Sequence, residues 1–453
     1  MKFNKTLLAT GVLTVSMFAT GAHAAVSAAD AAKLGDTLTP IGAEMAGNGN
    51  EIPAWDGGLQ TIPAGYKNDG IYLDPFADEE PLFIINQGNV NEHAERLSPG
   101  QIAMINKYPD YVIPVYPTHR TSAYPDNIEQ ETVANATSVE LVQGGNGLAN
   151  YQNATPFPVP QNGLEVIWNH ITRYRGGSVQ RNVAQVTPQE NGAYSPVKFQ
   201  DELTWRASLT DYDPNEDANV LFYFKQAITA PARLAGNVLL VHETIDQVSE
   251  PRRAWLYNAG QRRVRRAPQV AYDGPGTASD GMRTSDNFDM YNGAPDRYDW
   301  ELVGKKEMYI PYNSYRLVDR SLSYDDLVKP GHINQDYTRY ELHRVWHVRA
   351  TLKSGQRHIY AQRDLYIDED TWQASVIDHY DGRGELWRVA EAHNMYFYDR
   401  DVPWYAIETL YDLLSGRYLA NGLTNEESNP YQFGVDRASR DYTPAALRRA
   451  GTR

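Results

Sequence analysis

Hydrophobic and polar residues alternate along several short segments in the second half of this 453-residue chain. The segments ELTWRASL, NVLFYFKQAI, GNVLLVHETID and RRAWLYN, between residues 202 and 258, have the two-residue period of half-buried strands. Turn residues separate them. Each segment therefore predicts a strand with one face towards a core.

Two later segments predict strand pairs. Residues 343–368 predict two strands joined by a tight turn at Ser354-Gly355, and residues 371–398 predict a second pair with a turn at Asp381-Gly382. Strands at intervals of about ten to fifteen residues, without long helices between them, are typical of an antiparallel meander. We expect a mainly β fold with about nine strands, enough to curl into a barrel or half-barrel.

Four segments have helical signals. Ser98 and Pro99 predict the start of one helix, a second is expected over about 164–174, and Ser323 caps a short third. The last is expected to begin near Asp401 and to end at Gly416. Its predicted apolar face contains Ile407, Leu410, Tyr411 and Leu414.

The first 24 residues predict a secretory signal peptide. Lys2 and Lys5 precede a short apolar run, and the small residues around Ala24 suit cleavage after it. We therefore expect a periplasmic protein without an integral membrane segment. Cleavage would remove two lysines and no acidic residue, which changes the formal charge from −15 to −17.

The remaining chain divides by composition. Residues 25–160 are rich in proline and glycine and predict extended wrapping segments without a core of their own. Residues 161–425 are expected to form the β domain, and 426–453 a polar tail. Cysteine is absent, which excludes disulfides, thiolate metal sites and a lipidated N-terminal cysteine.

Six arginines lie between residues 252 and 266 of this acidic chain. Strand alternation places Arg253, Trp255 and Tyr257 on one face of a predicted hairpin, and Arg263 and Arg265 on one face of the return strand. Two interpretations are open: ion pairs with neighbouring carboxylates, or a rim that binds phosphate or carboxylate groups. Nucleic acid is not an expected partner, because the protein is strongly negative overall.

The hairpin belongs to a set of stretches that resemble a known family. They are RRAWLYNAGQRRVRRAPQVAYD, LTPIGAEMAGN, IPAWDGG, PFPVPQNGLEVIWNH, GMRTSDNFDMYNGAPDRYDWELVGKKEMYIPYN and RDLYIDEDTW. Together they resemble domain-of-unknown-function family 1329, a family of exported proteobacterial proteins grouped with the periplasmic lipoprotein carriers LolA and LolB. The resemblance implies a curved antiparallel half-barrel, with a few covering helices and an apolar cavity for acyl chains.

The same resemblance implies a function. It indicates a carrier or chaperone for a lipid, lipoprotein or other hydrophobic cargo, without a cofactor. Because members are often encoded near exporters of the resistance-nodulation-division class, such an exporter or another envelope protein is an expected partner. Amphipathic aromatic residues suit such a cavity, and tyrosine is abundant here, with 31 residues against 11 phenylalanines. The candidate ligand-binding residues are Arg253, Trp255, Tyr257, Arg263, Arg265, Trp346 and Trp387.

Other functions stay open. Glu341, His343 and His347 share a strand face and could bind zinc together with a further histidine, which could be His358, His379 or His393. The segment Asp211–Asp217 has incomplete calcium-loop spacing, and a polar turn explains it better. No catalytic motif is present, so an enzyme is not expected. The alternatives to a carrier are an adaptor subunit of an envelope exporter and a metal- or carboxylate-dependent hydrolase.

Overall fold

The computed structural model describes residues 26–267 and 270–450, so the predicted signal peptide lies outside the described residues. Strands β1 to β18 follow in chain order. They are Phe83–Ile85, Ile113–Val115, Glu140–Val142, Gly147–Ala149, Ser178–Val186, Val197–Trp205, Val220–Ala230, Val238–Thr244, Arg253–Asn258, Arg263–Arg266, Tyr298–Pro311, Tyr340–Leu352, Gln362–Asp368, Ala374–Tyr380, Leu386–Phe397, Val402–Asp412, Tyr418–Leu423 and Tyr431–Phe433. Helices α1 to α6 are Ala28–Ala31, Pro99–Lys107, Asp126–Asn135, Gly163–Thr172, Tyr324–Leu327 and Pro444–Ala450.

One large curved sheet contains all of these strands except β3 and β4, which pair with each other. It consists mainly of two antiparallel meanders, β5 to β10 and β12 to β17, which are joined where β17 pairs with β5. Within the described residues, β10 and β11 each pair with a single neighbour, so the sheet stays open at these edges. The predicted fold, a mainly β curved antiparallel half-barrel, is confirmed.

Side chains of the sheet form several apolar clusters with the helices. Trp168 of α4 lies in the largest cluster together with Phe224 of β7. Ile105 of α2 lies in a second cluster with Ile407 of β16, and Leu447 of α6 lies in a third beside β7 to β9. Helices therefore cover the sheet on both of its faces, which is why so many strand residues are buried.

The helix predicted over 401–416 is wrong. Val402–Asp412 is a strand, β16, which pairs with β15 on one side and β17 on the other. All eleven of its residues are buried, so apolar side chains occur on both faces and two-residue alternation is lost. Without that alternation the spacing of Ile407, Leu410 and Tyr411 resembles a helical stripe, although Leu414 lies beyond the strand and is exposed.

The other local predictions differ in accuracy. Both predicted strand pairs are present as β12–β13 and β14–β15, and the turn at Asp381-Gly382 joins the second pair. The turn at Ser354-Gly355 is only part of a longer connection, 353–361, so this pair has no tight hairpin. The predicted count of about nine strands is too low, partly because β11 and β16 were not recognised as strands.

Three of the predicted helices are confirmed as α2, α4 and α5. At the start of α2, the Ser98 hydroxyl accepts a hydrogen bond from the Gln101 amide at 3.1 Å, and the Gln101 side chain accepts one from the Ser98 amide at 3.0 Å. This reciprocal arrangement satisfies two amides that the helix cannot satisfy itself. Asn162 caps α4 in a similar way.

Segments outside 161–425 join the same sheet. In the N-terminal segment, β1 pairs with β2, and Val115 of β2 makes one parallel contact with Tyr340 of β12. In the predicted tail, β18 pairs with β5, and α6 packs near β8 to β10. The domain boundaries drawn from the sequence stay a prediction.

A search of the described residues for membrane-spanning helices gave no candidate, since no helix among them has the length and apolar character required.

Candidate functional site

A cavity of about 200 Å³ lies against one face of strands β7, β8 and β9. Its floor contains Phe222 and Phe224 of β7, Leu239 and Val241 of β8, and Leu256 of β9. Phe224 pairs with Val241, and Leu239 pairs with Leu256. Because directly paired residues project to the same side, the alternation of these strands produces one continuous apolar surface, which we call the cavity face.

Residues 270–292, which we call the roof, cover this surface. Val270, Pro275 and Phe288 of the roof line the cavity from above. The rings of Phe288 and Phe224 are 4.8 Å apart between centroids, so the roof packs directly on the floor at this point. The cavity is therefore a gap between a strand surface and a loop, and not a hole through the sheet.

Buried ion pairs anchor the second half of the roof. Asp289 accepts hydrogen bonds from both Arg173 and Arg175, which follow α4, and all three side chains are buried. Burial alone would raise the pKa of Asp289, but the two guanidinium groups hold that pKa well below its usual range. Asp289 is therefore ionised, and it ties the roof to the end of α4.

A second anchor lies three residues earlier in the roof. Asp286 accepts a hydrogen bond from Arg363 of β13 at 2.8 Å, and His358 Nε2 lies 3.0 Å from the same carboxylate oxygen. Burial opposes ionisation here too, but the charge of Arg363 lowers the pKa of Asp286 below its usual range. The roof is thus held to the end of α4 and to β13.

The charged groups that line the cavity have opposite charges nearby. Arg252 Nη2 lies 2.7 Å from Glu243 Oε2, and Asn292 donates to the same oxygen at 2.8 Å. Arg283 Nη1 lies 3.6 Å from Glu408 Oε2. Each cationic side chain in the cavity wall therefore has a nearby carboxylate, so the interior has no large net charge that would repel an apolar molecule.

Two of the predicted ligand-binding arginines lie at the open side of the cavity. Arg265 pairs with Leu256, and Arg263 pairs with Asn258, so both project to the cavity face. Leu256 is 41% exposed and marks the mouth of the cavity. Both arginines are exposed, and neither side chain has a hydrogen-bond or ion-pair partner among the described residues.

The other predicted hairpin residues lie on the opposite face. Tyr257 is buried in the apolar cluster beneath α6, and the ring of Trp255 contacts the ring of His242 at 4.8 Å. Arg253 lies 3.5 Å from Glu250 and 3.8 Å from Asp217. These three side chains are therefore not brought together with Arg263 and Arg265, because adjacent strand positions alternate between faces.

The two remaining predicted residues are not part of the cavity lining. Trp346 stacks on Trp372 at 6.1 Å, and the ammonium of Lys305 lies 4.5 Å from its ring. Trp387 donates from Nε1 to Asp412 at 3.1 Å. Both have contacts that explain them as parts of the packed sheet.

The proposed zinc ligands are not assembled. His343 Nε2 lies 3.1 Å from Glu341, but His347 is paired with Asp364 at 2.9 Å instead. His358 contacts Asp286, and His379 contacts Asn287. His393 Nε2 lies 4.0 Å from Glu391. The zinc interpretation of this strand face is therefore wrong.

A different group, His343, Asp368 and Asp370, does place ligand-type atoms within 4.8 Å of one another. Arg120 donates to both oxygens of Asp370, at 2.9 and 2.6 Å, and His343 lies beside the same carboxylate. Protein cations therefore already neutralise this buried site. Burial raises the pKa of Asp368 to about 7, which further reduces its ionisation.

The calcium-loop candidate is a polar turn, as the sequence favoured. It lies between β6 and β7, where Asp213 accepts a hydrogen bond from the Asn215 amide at 2.8 Å. Asp211 accepts from the amide and hydroxyl of Ser439. These local contacts account for the acidic residues of the segment.

The sequence interpretation missed the apolar floor and the roof. The floor could have been found, because the two-residue alternation of β7 to β9 places Phe224, Val241 and Leu256 on one face. The roof has no comparable periodicity. Its position depends on Asp286 and Asp289, whose partners are distant in the chain.

Comparison with known proteins gives a family and several similar structures. The family model described as "Protein of unknown function (DUF1329)" matches residues 84–448. The uncharacterized protein PA3922 of Pseudomonas aeruginosa is 66% identical over 455 residues, which cover all of both chains.

Two crystal structures are among those that match this chain. A domain from Vibrio parahaemolyticus, described as a candidate outer membrane lipoprotein-sorting protein, is 12% identical, with a TM-score of 0.44 over 63% of this chain and 98% of that one. The LolA superfamily protein NE2245 from Nitrosomonas europaea is 13% identical, with a TM-score of 0.37 over the same shares of the two chains.

Proposed function

This chain belongs to the DUF1329 family, and we propose that it is a periplasmic binding protein that carries a lipid, a lipoprotein or another hydrophobic cargo. The family resemblance found in the sequence is confirmed.

The observation that supports the proposal is the apolar cavity between the floor and the roof. A concave apolar surface with a few paired polar groups is the usual form of a small-molecule site. Burying apolar surface there releases about 25 cal/mol for each Å² removed from water. The volume of about 200 Å³ is below the usual range for a whole ligand, about 300–1,000 Å³. The cavity therefore suits one apolar chain, with the remainder of the cargo outside the mouth.

The exposed arginines at the mouth suit the polar end of such a cargo. Arg263 and Arg265 project to the cavity face and have no carboxylate partner within the described part of the chain. A phosphate or carboxylate group beside Leu256 could accept hydrogen bonds from both guanidinium groups. The proposed ligand is thus an amphiphile with an apolar tail and an anionic head.

Release of the cargo requires movement of the roof but no covalent chemistry. The anchors at Asp286 and Asp289 are buried ion pairs that hold the second half of the roof. The first half is held by hydrogen bonds, such as those that Gln185 donates to the carbonyls of Thr277 and Ala278, and by an ion pair of the exposed Asp280. We propose that opening and closing occur in this first half, with the anchors unchanged.

The cavity can be tested by filling it. In Val241→Trp the larger side chain would occupy the floor, so we expect the affinity for the uncharged fluorescent probe N-phenyl-1-naphthylamine to fall by at least about tenfold. Val248→Trp is the matched control, because Val248 is 49% exposed and lies outside the cavity lining. Native mass spectrometry and lipid extraction of periplasmic protein would identify the natural cargo. A cargo-free mass together with no probe binding by the unmodified protein would exclude the carrier function and favour an adaptor subunit.

The arginines at the mouth make a separate prediction. Arg263→Ala with Arg265→Ala should weaken binding of dodecyl phosphate by about tenfold and leave binding of the uncharged probe unchanged. The free energy of unfolding should change by less than about 0.5 kcal/mol, because both side chains are exposed and unpaired. Arg262→Ala with Arg266→Ala is the control, since Arg266 projects to the opposite face beside Trp255. Equal weakening in both double variants would show that no specific headgroup contact exists.

A further inference from the structure

A positively charged end of the sheet extends beyond the cavity mouth. The β7–β8 and β9–β10 turns lie side by side, because the Ala259 amide donates to the Asn237 side chain at 3.2 Å. Arg233 lies in the first turn and Arg262 in the second. Arg266 of β10 projects to the face opposite the cavity face. Together with the two turns, it gives three arginines that lie outside the cavity face.

These three side chains have no charge partner among the residues that the structure describes. All are exposed, and in residues 26–267 and 270–450 none of them has an ion pair or a side-chain hydrogen bond. The segments 229–237 and 258–267 also contain no aspartate or glutamate. Including Arg263 and Arg265, five arginines with unpaired side chains are concentrated at this end of the sheet, in a protein whose formal charge is −15.

Protection of a sheet edge explains only part of this pattern. Charged side chains on an edge strand discourage pairing with another chain, which accounts for arginines on β10. It does not account for Arg233 and Arg262, which lie in turns, where no strand edge needs protection.

We propose that this end of the sheet docks on an anionic phospholipid surface. The arginines project from two turns and from both faces of one hairpin, and no buried side chain orients them around a single anion. Such a spread suits a layer of phosphate groups, which offers acceptors in many positions. The exposed side chain of Leu256 lies on the same hairpin, so contact with the lipid interface would also cover apolar surface.

The inference goes beyond the carrier function and does not depend on it. Docking uses Arg233, Arg262 and Arg266, whereas the cargo site uses the cavity and the two arginines at its mouth. If both hold, the docked orientation brings the cavity mouth to the membrane, where an apolar cargo could pass between lipid and protein.

The experiment is flotation of the mature protein with vesicles. We expect binding to vesicles of phosphatidylglycerol and phosphatidylcholine to be at least about tenfold stronger than to phosphatidylcholine alone at low salt. The difference should disappear at about 0.5 M NaCl, because salt at that concentration screens charges beyond a few ångströms. The triple variant Arg233→Glu, Arg262→Glu and Arg266→Glu should reduce binding to anionic vesicles by at least about tenfold.

Matched variants separate a specific surface from net charge. Lys67→Glu, Arg320→Glu and Arg357→Glu change the charge by the same amount at exposed positions in other segments, and they should leave vesicle binding unchanged. Circular dichroism establishes that both triple variants are folded. Val241→Trp should retain vesicle binding even where it loses the probe. Equal loss in both triple variants, or no preference for anionic vesicles in the unmodified protein, would overturn the inference.

Discussion

Replacing Asp289 by asparagine is expected to lower the free energy of unfolding by about 3–5 kcal/mol. Asp289 is the shared partner of Arg173 and Arg175, and all three side chains are almost completely removed from water. The amide keeps the shape of the carboxylate but not its charge. Two buried guanidinium groups would then lose their counter-charge, and the remaining desolvation penalty is large.

The same segment supplies the control. Asp280 also belongs to the roof and pairs with Arg417 at 2.6 Å, but its side chain is 61% exposed. Asp280→Asn should lower the free energy of unfolding by less than about 1 kcal/mol, because water screens an exposed ion pair and solvates its charges once the pair is broken. Urea denaturation followed by circular dichroism would measure both variants. Similar losses of unfolding free energy in the two variants would show that burial does not determine how much the Asp289 anchor contributes to stability.

The second large effect is a loss of stability at alkaline pH. His343 is buried between Glu341 and Asp370, with its ring stacked on Tyr312 at 3.9 Å. Burial by itself would lower the pKa of His343, but the carboxylates of Asp370 and Glu341 outweigh burial and raise the pKa to about 9. The imidazolium is therefore the form that the folded protein stabilises.

The direction of the pH dependence follows from this raised pKa. The stabilisation is fully present below about pH 6.5, where the histidine of the unfolded chain is protonated too, and it is lost as the pH rises through about 9. The shift corresponds to about 3 kcal/mol at 1.36 kcal/mol per pH unit. Asp368, whose pKa is raised to about 7, titrates in the lower part of the range from about pH 7 to 9.5, so the contribution of His343 is measured as a difference from a variant that keeps Asp368.

His343→Gln isolates this contribution. The variant should be less stable than the unmodified protein at pH 7, and the two should converge towards pH 9.5 because glutamine does not titrate. The stacking of His343 on Tyr312 is lost in the variant at every pH, so it adds a constant to the difference between the two curves and does not change how that difference varies with pH. Parallel curves across this range would mean that His343 is neutral in the folded state at pH 7.

Much of the fold could be predicted because its strands are buried on one face or bounded by clear turns. The segments around Leu240 and Trp255 alternate, and the structure has strands there. Residues 402–412 could not be assigned correctly, because burial on both faces removes the period that distinguishes a strand from a helix. Periodicity describes local burial, and it cannot report how many sides of a strand are covered.

The site could be predicted only in part for a related reason. Alternation correctly separated Arg263 and Arg265 from Arg266, but it could not tell which face of β9 would lie beside them. That relation depends on register, which the turn geometry of the hairpin determines. As a result Trp255 was grouped with arginines that project to the opposite side.

The junction between the two meanders has a consequence for how the chain folds. Val186 at the end of β5 pairs with Ala420 of β17, so the first meander meets its neighbour only after almost the whole chain is available. Contacts between such distant residues close slowly, because the intervening chain must lose its freedom first. Until then, the edge of β5 that pairs with β17 in the folded protein stays unpaired, and it can associate with other chains. The chain is therefore most exposed to aggregation before its last strands are available.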